Sequence, residues 1–134
     1  MTIFSTISDL STRIRNGQKM RKLTILVKKT KNTIDILNVL KDEGFIRGYT
    51  IKEKKIEVLL KYLSDKPVIS KIEPISAYNK NKFISVNNLI QIKELTKKSN
   101  QGLGLFILST SKGILSDYQS IEENIGGQLI LRVL

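Results

Sequence analysis

The chain has no cysteine, no histidine and no tryptophan, and it carries a single alanine (Ala77) and two prolines (Pro67 and Pro74) in 134 residues. The first two absences together exclude disulfides, thiol chemistry, imidazole acid–base catalysis and the usual zinc sites. Only an all-oxygen metal site would remain, and the carboxylates are too scattered to form a ligand pattern. No stretch approaches the roughly 18 apolar residues of a membrane span, and no long basic amphipathic helix stands out. The composition therefore argues against an enzyme, and no cofactor is expected.

What is present is positive charge. The formal net charge is +11 and the pI near 9.9, a balance that suits a polyanion because each neutralised phosphate releases counterions. The charge is uneven: residues 1–63 hold 14 basic and 6 acidic residues, and residues 64–134 hold 9 and 6. Between Leu10 and Ile34 lie eight basic residues and no acid. A run of like charge can be a plain solvated face, but uncompensated it is equally a phosphate-facing surface. Eighteen lysines against five arginines, with 20 isoleucines and nine asparagines, point to an AT-rich genome. The opening MTIFSTISDL has neither an Arg/Ser-rich presequence nor a signal-peptide core. Translation in the compartment where the protein works is therefore expected.

Periodicity divides the chain into short elements. Ile3, Ile7, Leu10 and Ile14 fall on one helical face, with Gly17 as the expected stop. KLTILVK (22–28) reads as a strand, and residues 33–43 as a helix with Thr33 as N-cap and Gly44 as stop. FIRGYTIK and KIEVLLKY flank Glu53-Lys54 as the arms of a hairpin. A break follows at LSDKP (63–67). VISKIEPIS is a strand that Pro74 confines to an edge, AYNKNK a turn, and 87–100 a helix with a basic end. LGLFILST is a strand, Ser116 and Gln119 have the spacing of a capping box, and GGQLILRVL is the last strand. The expected fold class is α+β in two small lobes, residues 1–63 and 64–134.

The stretch GLGLFILSTSKGILSDY (102–118) is the most distinctive. Three hydroxyls, Ser109, Thr110 and Ser111, end an apolar run and are followed by Lys112 and Gly113. Ser109 to Lys112 formally satisfies S-x-x-K, an acylating motif, but that serine needs a helix N-terminus and a deep cleft, and no K-T-G box accompanies it. The spacing of Gly104 and Lys112 does not fit a phosphate loop either. An ordinary polar turn is the bland reading. RNA contact fits better: hydroxyls donate and accept at once, small side chains allow close approach, and the lysine adds a point charge.

These residues resemble the family of ribosomal protein S-eight, the eighth protein of the bacterial-type small subunit. The resemblance is carried by GLGLFILSTSKGILSDY with the later Gly126-Gly127, by ISDLSTRIRNGQ near the start, by ILNVLKDEGFI, and by LKYLSDKPVISKI. It runs from about residue 4 to the end. It implies a non-enzymatic primary rRNA-binding protein whose C-terminal lobe grips the central domain of small-subunit rRNA and helps assemble the platform. Small-subunit proteins five and twelve are its implied neighbours. By position, Ser109, Thr110 and Ser111 would meet the rRNA minor groove and backbone, with Lys112 and Gly113 shaping and charging that loop. Arg13, Arg15 and Asn16 would face rRNA from the first helix.

The chain departs from the family pattern in three places. After Ser76 the family's Pro-Gly pair is missing, leaving Lys80 and Lys82 to supply RNA-binding charge there. The family's Gly-Gly-Glu appears as Gly126-Gly127-Gln128, and the basic residues after Thr/Ser-Asp are replaced by YQSIEEN. An organellar ribosome, with diverged rRNA, accommodates these changes. A mitochondrion is the expected compartment, with a plastid or bacterial cytoplasm as alternatives. The alternative function is a free-standing basic RNA-binding or translation-regulatory module.

Overall fold

A computed structural model describes residues 3–75, 83–98 and 104–134. Its first helix, α1 (Ile3–Lys19), buries Ile7, Leu10 and Ile14 on one face, as their spacing predicts. Gly17 does not stop it. The helix runs on, and its terminal carbonyls are closed by Arg21 N–H to Gln18 O (3.0 Å) and Lys22 N–H to Gly17 O (2.9 Å), with Arg21 at φ +56°. Gly17 lies buried instead, where an added Cβ would overlap Ile25 Cγ2 and come within 3.2 Å of Leu60 Cδ1. Close approach of helix to strand, rather than helix termination, accounts for that glycine.

The next strand, β1 (Thr24–Lys28), leads into α2 (Lys31–Asp42). The N-cap of α2 is Thr30, not Thr33: Thr30 Oγ1 accepts the Thr33 N–H at 3.1 Å, and Thr33 sits buried in the first turn. Two threonines three residues apart are both plausible caps, and only the chain's turn after Lys28 decides between them. At the other end Gly44 takes φ +81° and Phe45 N–H reaches Leu40 O at 2.8 Å, the expected stop.

Strands β2 (Ile46–Lys52) and β3 (Lys55–Leu60) form the expected hairpin around Glu53-Lys54. With β1 they make an antiparallel sheet in the order β1-β3-β2. The LSDKP break is a second, tiny hairpin, β4 (Tyr62–Leu63) and β5 (Lys66–Pro67). Its turn residues Ser64 and Asp65 have φ +51° and +65°, the mirror-image turn that suits twisted strands.

The second sheet contains β6 (Ile72–Pro74), β7 (Phe83–Ile84), β8 (Leu105–Thr110), β9 (Gly113–Ser116) and β10 (Gly127–Val133). Its order is β6-β10-β8-β9, with β7 also pairing to β10. Pro74 is on an edge strand, as its missing N–H requires. Helices α3 (Val86–Lys98) and α4 (Asp117–Glu122) accompany this sheet, so the fold class is α+β. Strands β7 and β9 are too short to announce themselves in the sequence.

One continuous core serves both sheets. Ile7, Leu10 and Ile14 of α1 and Ile36, Leu37 and Leu40 of α2 belong to the same buried cluster as Ile72, Leu105, Ile107 and Leu131. A smaller cluster of Ile84, Leu89, Phe106 and Leu108 lies under α3 and α4. Truncating any one of these leucines or isoleucines to alanine costs about 2–5 kcal/mol.

Candidate nucleic-acid interface

Strand β8 is buried on both faces, which is why its sequence is a continuous apolar run. Leu105 and Ile107 enter the main core, while Phe106 and Leu108 enter the smaller one. Burial then fades through half-buried Ser109 and Thr110 to exposed Ser111, Lys112 and Gly113. Ser111-Lys112 is a two-residue turn, Thr110 pairs with Gly113, and Ser109 pairs with Ile114. The sequence motif is thus the tip of the β8–β9 hairpin.

Three devices fix that tip. Thr110 Oγ1 donates to Gly113 O at 2.8 Å and accepts the Lys112 N–H at 3.2 Å, so this hydroxyl shapes the turn. Gly113 adopts φ +105°, a conformation that side chains rarely tolerate, with no atom near enough to crowd it. Gly127, at the start of β10, lies so close beneath that a Cβ there would overlap Ser109 O and Thr110 Cγ2. The paired glycine therefore seats the hydroxyl loop against the sheet. Ser111 and the Lys112 ammonium project outward.

A fourth device was not legible in the sequence. Asp117, fully buried at the start of α4, accepts from the Phe106 N–H (3.0 Å) and the Lys93 ammonium (2.7 Å) through Oδ2, and from the Tyr118 N–H (2.7 Å) through Oδ1. Lys93 Nζ also stands 3.7 Å from the centroid of the Tyr118 ring. The carboxylate takes over the β8 hydrogen-bonding edge where β9 ends at Ser116, and it ties α3 to α4. The capping box is formed as expected: Ser116 Oγ accepts from Gln119 N–H (3.2 Å) and Gln119 Oε1 from Ser116 N–H (3.1 Å).

The second set of expected residues lies on α1. Asn16 is exposed. Arg13 Nε bonds Asp9 Oδ2 at 3.1 Å, and its Nη1 donates to Leu26 O at 3.3 Å. Arg15 Nη2 donates to Ile72 O at 2.7 Å, linking α1 to β6. Each guanidinium retains further donors for an outside acceptor. Arg13 and Asn16 line a groove of about 480 Å³ with Met20, Lys22, Leu26 and Lys55. The hairpin and helix sets remain on separate elements joined through the core. Ser76, Lys80 and Lys82 lie outside the described residues.

Among the described residues no group of carboxylates is placed to hold a metal, and no helix is long and apolar enough to cross a membrane. What the arrangement can do is present hydroxyls and a cation from a rigid tip, and cations from a helix, to a polyanion.

Comparison with known proteins is consistent with that chemistry. The family model described as Ribosomal protein S8 matches residues 5–134. The chain is 39% identical to the small ribosomal subunit protein uS8 of Rhodopseudomonas palustris (strain BisA53) over 138 aligned residues, covering 99% of each chain. The uS8 of Bradyrhizobium sp. (strain ORS 278) is likewise 39% identical, and that of Nitrobacter winogradskyi 38%, with the same coverage.

Proposed function

The chain belongs to the ribosomal protein S8 family, and on that premise we propose that its β8–β9 hairpin grips the central domain of small-subunit rRNA and helps assemble the platform. The coarser role is that of a non-enzymatic, rRNA-binding constituent of the small ribosomal subunit. The observation that carries the finer reading is the seated hairpin tip, with Ser111 and Lys112 exposed and Thr110 and Gly113 holding the turn. Ser109 and Ser111 meet 2′-hydroxyls and phosphates in a shallow minor groove, and Lys112 supplies the charge. Arg13, Arg15 and Asn16 extend the contact from α1, and Ser76, Lys80 and Lys82 from the segment after β6. Residues 1–63 and 64–134 act as two lobes on the shared core, the second carrying the principal grip. Small-subunit proteins five and twelve are the proposed neighbours.

The test is binding to a cognate rRNA hairpin. Replacing Ser109 and Ser111 with Ala removes hydrogen bonds worth about 0.5–1.5 kcal/mol each, so affinity falls several-fold. Lys112→Ala lowers the salt slope by about 1. Unchanged affinity in both variants rejects the hairpin as the grip. A free-standing basic module instead predicts equal affinity for unrelated hairpins and no co-sedimentation with the subunit at high salt. For the compartment, the Lys, Ile and Asn bias supports a mitochondrial ribosome. The bacterial sources of the relatives support the bacterial cytoplasm as the alternative. Sedimentation with an organellar or a bacterial small subunit decides between them.

A further inference from the structure

Among the described residues no strand pairs with the outer edge of β1 in the first sheet. Strand β1 is the outer strand of the order β1-β3-β2. The Leu60 N–H donates to Leu23 O (2.9 Å) and the Lys29 N–H to Lys54 O (3.2 Å), which sets the antiparallel phase. With that register Ile25 and Val27 turn their backbone groups toward β3, so Thr24, Leu26 and Lys28 turn theirs outward. The Leu26 carbonyl already receives a donor from α1, the Arg13 Nη1.

Along this edge runs the groove between α1 and β1. Its walls carry the cations Arg13, Lys22 and Lys55, and among the described residues no acid lines it. Its apolar lining is open: Met20 is 70% exposed and Leu26 45%. Single exposed apolar residues are ordinary, but Met20 and Leu26 face one groove together, and such a pair beside outward-turned backbone groups marks an interaction surface. Phosphates would use the cations and leave the aliphatic side chains wet. An extended polypeptide uses all three features at once, since its backbone meets the strand edge, its apolar side chains cover Met20 and Leu26, and its carboxylates meet the cations.

We propose that the β1 edge and its groove dock an extended protein segment in which apolar residues alternate with Asp or Glu. Resting on the assignment to the small subunit, the occupant is a neighbouring subunit protein.

The test uses small subunits reconstituted with the full chain carrying a photo-reactive side chain at position 20. The expected result is a covalent adduct with a subunit protein, mapped by mass spectrometry to a segment of alternating acidic and apolar residues. An adduct with rRNA alone overturns the proposal and makes the groove an RNA contact. Absence of any adduct in a chain that co-sediments with the subunit also overturns it. Failure to co-sediment would instead reject the ribosomal assignment and the proposal with it. In parallel, Met20→Asp with Leu26→Asp places like charge against the partner. Incorporation into subunits falls roughly fivefold or more, while thermal stability stays unchanged. Equal incorporation of the variant overturns the proposal.

Discussion

Individual residues in this protein often hold the interface without forming it. Gly113 touches nothing that a Cβ would meet, so Gly113→Ala costs only the backbone conformation, about 1–2 kcal/mol, and denaturant titration should register it together with weaker RNA binding. Asp117 is the opposite case, a buried carboxylate whose removal strands Lys93 and the Phe106 N–H. Asp117→Ala should lower stability by about 3–5 kcal/mol in urea unfolding. Tyr62 supplies a pH dependence: burial raises its phenol above the usual 10.0, with Arg21 opposing, while the neutral hydroxyl donates to Lys22 O. A group raised in the folded state stabilises fully below its unfolded value and loses that contribution as pH rises through the folded one. Tyr62→Phe should therefore flatten the alkaline fall in urea midpoint, and identical falls in the two proteins would refute the assignment. The hydroxyl loop was legible in the sequence because Ser-Thr-Ser-Lys-Gly is distinctive. The Asp117 latch was hidden because its partners are 11 and 24 residues away.

Elements are joined here by close approach as much as by hydrogen bonding. An added methyl at Gly17 would raise helix propensity by about 1 kcal/mol, yet it must displace Ile25 on β1. Overpacking of that kind costs about 1–3 kcal/mol, so Gly17→Ala should lower the thermal midpoint, and a rise would show that α1 can shift away from β1. Helix faces, the β2–β3 hairpin and the capping box were all readable because their signals are local. The cap of α2 at Thr30 and the continuation of α1 past Gly17 were not. At Gly17 the deciding contact comes from outside the helix, and at Thr30 two threonines three residues apart offer the same local signal.

At the scale of the molecule, one buried cluster spans the two halves, which are therefore expected to unfold as one cooperative unit. Ile72, Leu105 and Leu131 pack in the same cluster as Ile7 and Ile14, so residues 1–63 alone lose apolar partners they need. Far-ultraviolet circular dichroism and tyrosine fluorescence should report coincident urea transitions for the full chain, and the isolated 1–63 segment should show no cooperative one. Two separated transitions would mean that the lobes are independent. Charge counting placed the RNA face in the more basic first half, whereas the most specific motif sits in the second; net charge reports attraction, not the shape that discriminates. The order β6-β10-β8-β9 also imposes a schedule on biosynthesis. The strand that follows all the others in the chain, β10, lies at the centre of the second sheet and carries the Gly127 that seats the hydroxyl tip. A nascent chain can therefore pair β8 with β9 early, but the hydroxyl tip is seated only once β10 has entered between β6 and β8.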